Sequence, residues 1–123
     1  MHELAICQAL IVQIEDIAGK RPGRVRRVRL GIGPLAGVEP QLLADAYPLV
    51  CAGTIAEGSQ LEIEATDIRV RCRTCGAETK ATPNRLICGI CGDWHTDLRA
   101  GDELLLLRIE IETREDAVEV ADV

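Results

Sequence analysis

A chain of 123 residues, 47% of them hydrophobic, suits one compact domain with a small appendage. Its 20 acidic residues outnumber 14 basic ones, and the net charge of -6 argues against nonspecific attraction to nucleic acid or to an anionic membrane, both of which need a basic face. The only aromatic side chains are Tyr47 and Trp94, so the core has to be built from Leu, Ile, Val and Ala, and little flat surface is left for stacking on bases.

Residues 4 to 18 place Leu4, Cys7, Leu10, Ile11, Ile14, Ile17 and Ala18 at three- and four-residue steps, which predicts an amphipathic helix ended by Gly19 and the Pro22-Gly23 pair. No basic segment followed by an apolar one precedes it, and no apolar run approaches the roughly 20 residues that span a bilayer. A cytoplasmic protein is expected. Cys7 falls on the apolar face and reads as a small buried hydrophobe.

Val28, Leu30 and Ile32 then alternate with Arg27, Arg29 and Gly31, the period of a half-buried strand. After the loop GPLAGVE, Pro40 fits the first turn of a second helix with Leu42, Leu43, Ala46 and Val50 on its face, ending near Gly53. Pro48 is expected to kink or shorten it, and Cys51 reads as structural. Leu61, Ile63 and Ala65 alternate with Glu62 and Glu64 in a second strand that is expected to run on through Ile68 and Val70. Leu105, Leu107, Ile109 and Ile111 alternate with Leu106, Arg108, Glu110 and Glu112 in a third.

These elements predict an α+β fold in which two helices pack on a small three-stranded sheet, with an inserted four-cysteine, zinc-ribbon-like module. Residues 1–67 and 104–115 would form the α+β domain and 68–103 the zinc-binding domain. Residues 116–123 would be an acidic tail that frays. On the wet face of the sheet, Arg27 and Arg29 are expected opposite Glu62, Glu64, Glu110 and Glu112.

Cys72, Cys75, Cys88 and Cys91 make two CxxCG knuckles, with Gly76 and Gly92 directly after each second cysteine. One tight turn between two thiolates aims both at one ion, and glycine accommodates the positive φ of such turns. Four thiolates suit zinc, with iron in a rubredoxin-like electron carrier as the rival, and they leave no open position for catalysis. A disulfide framework fits this spacing less well. The span between the knuckles has too few apolar groups for its own core, so the ion would be structural. Arg69, Arg71, Arg73, Lys80 and Arg85 surround it, either offsetting the thiolate charge or forming a basic surface for nucleic acid or protein.

The opening Met1-His2-Glu3 offers an α-amine, the His2 amide nitrogen and the His2 imidazole, which close a five- and a six-membered ring around one ion. Planar nitrogen coordination favours nickel(II) or copper(II). From chemistry alone, a solvated His2 is the plainer reading. MHE before an amphipathic helix, a strand ending GIG, a Gly-Val-acid-Pro helix start and two CxxCG knuckles together resemble the HypA/HybF family of nickel metallochaperones over residues 1 to about 113. The resemblance implies nickel at His2 with Met1 and Glu3 in support, zinc at Cys72, Cys75, Cys88 and Cys91, and Glu39 near the nickel. It also implies a non-enzymatic carrier, monomer or homodimer, that takes Ni(2+) to a hydrogenase large-subunit precursor with a HypB-type GTPase, with neither nucleic acid nor membrane as partner. Gly89 stands where the family often has Pro, and Pro48 and Cys51 where an uninterrupted helix is expected. His95 reads as a surface residue, with a second-site ligand role if the zinc module folds back.

Overall fold

The computed structural model of the chain describes residues 3–20, 23–113 and 118–122. Helix α1 (Glu3–Ala18) is followed by β1 (Arg24–Ile32), α2 (Pro40–Cys51), β2 (Gln60–Ala65), β3 (Ile68–Cys72), β4 (Glu78–Ala81), β5 (Thr96–Ala100), β6 (Leu104–Glu112) and β7 (Val118–Asp122). The chain divides into two compact units, one of Met1–Leu30, Val38–Glu64 and Leu105–Val123, the other of Gly31–Gly37 and Ala65–Leu104. No helix among the described residues is long and apolar enough to cross a membrane.

In the first unit α1 buries Cys7, Leu10, Ile11, Ile14 and Ala18 of the stripe its periodicity predicts, while Leu4, in the first turn, is exposed and Ile17 is half-buried at the edge of the stripe. Cys7 Sγ reaches the Leu43 carbonyl of α2 at 3.5 Å. The second helix buries Leu43, Tyr47 and Cys51, at four-residue steps, and leaves Leu42 53% exposed, so its inward face is rotated from the expected one. Pro48 lies inside α2 and does not end it. The helix continues because Tyr47 and Cys51, buried on either side of Pro48, anchor the last turn, and burying such side chains contributes about 1.5–3 kcal/mol each, comparable to the cost of the proline. Burial raises the thiols of both Cys7 and Cys51 above the usual cysteine range.

The sheet of this unit has four strands in the order β2-β1-β6-β7, one more than expected. Val28 and Leu30 of β1 and Ile109 and Ile111 of β6 are fully buried. On the polar face Arg27 lies 3.2 Å from Glu62 and 3.6 Å from Glu110, and Arg29 lies 3.3 Å from Glu62, as the strand patterns predict for these residues. Among the leucines of β6 it is Leu106 that is buried while Leu105 is 45% exposed, so the alternation shifts phase before Ile109. Four consecutive leucines carry no polar contrast to fix that phase. The extra strand β7 pairs antiparallel with β6, Glu112 opposite Val118 and Arg108 opposite Asp122, where a frayed tail was expected. Residues 114–117 and 123 lie outside the described residues.

The second unit is built on a three-stranded sheet in the order β4-β3-β5. The expected continuous strand from Leu61 to Val70 is therefore broken. Thr66 N donates to the Ile32 carbonyl at 3.0 Å, and β3 starts a separate sheet. Ile68, Val70 and Cys72 are buried and Arg71 is exposed. Segment 31–37 belongs here through backbone bonds from Gly33 N to Glu103 O (2.9 Å) and from Leu35 N to Gly101 O (2.7 Å). A Cβ on Gly33 would land on the Gly101 carbonyl, so this approach of two backbones requires glycine.

Candidate metal centre

Strand β3 delivers Cys72 to the head of the first knuckle, and the second knuckle repeats the same wiring between β4 and β5. Gly76 N donates to Cys72 O and Gly92 N to Cys88 O, both at 3.0 Å, while Cys72 N donates to Ala77 O and Cys88 N to Asp93 O, both at 2.9 Å. Gly76 and Gly92 take φ of 76° and 75°, the left-handed conformation that the glycine after each pair predicts. All four sulfurs lie within 4.8 Å of one another, with Cys72 and Cys91 at 3.5 Å and Cys75 and Cys88 at 3.6 Å. A disulfide requires about 2.05 Å, whereas four sulfurs at 2.3 Å from one tetrahedral ion stand roughly 3.8 Å apart. The cluster fits a tetrathiolate metal site, and the cysteines are free thiols.

Backbone amides favour the thiolate at two of the four cysteines, Cys72 and Cys88, while the neighbouring sulfurs hold Cys75 and Cys91 above the usual cysteine range. Cys88 Sγ accepts from Cys91 N at 3.5 Å and Ile90 N at 3.4 Å, which hold its pKa down to about 6. Cys72 is lowered in the same way, first by Cys75 N at 3.4 Å. Cys72 and Cys88 are buried, Cys75 and Cys91 exposed.

Beyond the sulfurs, Asp93 ties the two knuckles together. Its carboxylate accepts from the Thr74 hydroxyl of the first knuckle, and also from His95 N at 3.0 Å and His95 Nδ1 at 2.7 Å. These bonds, that of Thr74 first, hold the Asp93 carboxyl well below its usual range. Sequence reasoning did not single out Thr74 or Asp93; the available signal was an acid two residues after the last knuckle cysteine, a position from which a short side chain caps local amides. His95 is not among the clustered ligands and instead stacks on Trp94 with ring centres 3.7 Å apart.

Of the residues expected to hold nickel, Met1 and His2 lie outside the described residues. Glu3 opens α1, and Glu39 caps α2. The two meet, for Glu39 N donates to Glu3 Oε2 at 3.5 Å and Glu39 Oε1 accepts from Gln41 N at 3.4 Å. Both carboxylates thus stand at the N-terminus of α2, where the helix dipole favours negative charge.

The sequence model of the family described as "Hydrogenase/urease nickel incorporation, metallochaperone, hypA" matches residues 1–111. A hydrogenase maturation factor HypA from Nitrosospira multiformis is 46% identical over 114 residues, covering 92% of this chain and 99% of that protein. The HypA of Aquifex aeolicus is 35% identical over 91% of this chain and 98% of its own length. Among solved structures, the Ni metallochaperone HypA from Helicobacter pylori aligns over 93% of this chain and 100% of its own with a TM-score of 0.69 at 23% identity, a likeness of fold.

Proposed function

The chain belongs to the HypA family of hydrogenase/urease nickel-incorporation metallochaperones, and from that premise we propose that it binds one Ni(II) at its amino-terminal segment and delivers it to a [NiFe]-hydrogenase large-subunit precursor with the help of a HypB-type GTPase. It works as a carrier in the cytoplasm and catalyses no reaction. His2 supplies the indispensable imidazole, and the Met1 amine and His2 amide nitrogen complete a planar chelate. The observation that carries the assignment of carboxylates is the hydrogen bond from Glu39 N to Glu3. It brings two acidic residues, far apart in sequence, beside the segment that holds His2. Glu3 and Glu39 contribute negative charge to a dication and stay exchangeable because Glu39 is exposed and Glu3 partly so.

Zinc in the tetrathiolate cluster is structural in this reading. A closed set of four sulfurs leaves no vacant coordination position, and an apparent ~10–16 kcal/mol from such an ion offsets the small apolar content of the second unit. The test is nickel titration by calorimetry of the native chain, His2→Ala, Glu3→Gln/Glu39→Gln, and a version with residues added before Met1. Loss of binding in the His2 variant and in the extended version is expected, with several-fold weakening in the double carboxamide. Equal binding by all four removes the proposal.

A further inference from the structure

In β3, Ile68, Val70 and Cys72 are buried, so Arg69 and Arg71 lie on the opposite face, and Arg73 follows directly after the strand. Arg69 stands across from Lys80 of β4, and Arg71 across from both Glu78 of β4 and Asp97 of β5. Several of these charges are satisfied within the sheet: Arg69 pairs with Glu78 at 3.2 Å, Arg73 with Asp97 at 2.6 Å, and Lys80 with Asp67 at 3.1 Å. Arg71 and Arg99 are exposed and, among the described residues, form no close ion pair. Asp97, bonded to Arg73, also feels the charges of Arg99 and Arg71 without pairing with either.

An apolar anchor adjoins this patch. Arg73 N donates to His95 O at 2.9 Å, and the His95 ring stacks on Trp94, which is 72% exposed. Tryptophan and arginine are the residues most enriched where protein partners bind tightly. Neutralising the metal centre does not account for the arrangement, because Arg71 projects from the face opposite Cys72.

The geometry points to the outer face of the β4-β3-β5 sheet, together with Trp94, as a docking surface for an acidic polypeptide segment of a partner protein. The arginines without a close ion pair supply the charge complement and Trp94 the contact that holds register. Counted by Lys, Arg, Asp and Glu alone, the second unit contains six of the chain's 14 cations and six of its 20 carboxylates, and four thiolates around a dication add two negative charges, so the attraction is local to this face and not a net charge of the unit. A nucleic acid would find only one exposed aromatic ring to stack on, since Tyr47 is buried, so an acidic polypeptide suits the face better. The inference goes beyond the nickel assignment and uses none of its residues.

Trp94 is the chain's one tryptophan, and its fluorescence reads the test. An oligoglutamate peptide titrated into the zinc-loaded chain at low salt is expected to change the Trp94 emission saturably, with the change weakening as salt rises. Arg71→Gln/Arg99→Gln is expected to weaken the peptide about tenfold or more, while zinc content and nickel binding stay native. Trp94→Ala, followed by calorimetry, is expected to weaken it as well. Three results overturn the proposal: no saturable change with the peptide, equal or tighter binding of oligo-dT through the same arginines, or peptide binding unaffected by the double substitution. Concentration-dependent self-association abolished by Arg71→Gln/Arg99→Gln overturns it too, assigning the face to the acidic unit of a second copy.

Discussion

Tyr47 is 2% exposed, and its hydroxyl shares a 2.7 Å hydrogen bond with Ser59. Burial raises its pKa well above the usual tyrosine value, and burial raises Cys7 and Cys51 likewise. The folded chain therefore keeps protons that the unfolded chain gives up. Stability from these groups is present below the unfolded values, about 8.5 for cysteine and 10 for tyrosine, and declines as pH rises through them toward the folded values. The urea midpoint of the first unit is expected to be lower at pH 10 than at pH 7, with a smaller drop in Cys7→Ala/Cys51→Ala. Tyr47→Phe at pH 7 is expected to cost about 1 kcal/mol through the lost hydrogen bond. At Gly33, any Cβ meets the Gly101 backbone, so Gly33→Ala is expected to cost about 1–3 kcal/mol, measured by denaturant unfolding.

At the scale of elements, the polar face of the four-stranded sheet is held by Glu62, which serves both Arg27 and Arg29. Glu62→Ala is expected to cost about 0.5–1 kcal/mol, and less in high salt, because these charges are partly exposed. Both helices, the three principal strands and the four cysteines could be read from spacing, since each buries one face and the periods of 3.6 and 2 mark which. Other features were less legible for physical reasons. The break between β2 and β3 was written as a change of parity, apolar at odd positions through Ala65 and at even positions from Ile68, but alternation alone suggests a single strand. Val118 and Val120 of β7 flank Glu119 at the same period, yet the stretch is too short and acidic to announce a strand without its partner β6. Tyr47 was passed over because the inward face of α2 combines an aromatic with a cysteine, where counting aliphatic residues selects Leu42. The contact of Glu3 with Glu39 joins residues 36 apart, which only the fold brings together.

For the whole molecule, α1 and α2, of 16 and 12 residues, both belong to the first unit, while every clustered cysteine belongs to the second. Stripping the metal with a thiol reagent and a chelator is therefore expected to abolish amide protection in β3, β4 and β5 and to leave most of the helical circular dichroism intact. Simultaneous loss of both signals would mean that the first core depends on the ion. Acidification is expected to release the metal as protons compete for the sulfurs, and reloading at neutral pH should restore protection.

The scarcity of aromatic rings has a practical corollary. The single phenol, Tyr47, is sealed inside the first unit, and the single indole, Trp94, stands at the surface of the second. Each half thus carries its own chromophore. Unfolding of the first moves a phenol from the core into water, and unfolding of the second frees an already wet indole from its stacking on His95. Ultraviolet difference absorbance for the one and tryptophan emission for the other therefore follow the two halves without any attached dye.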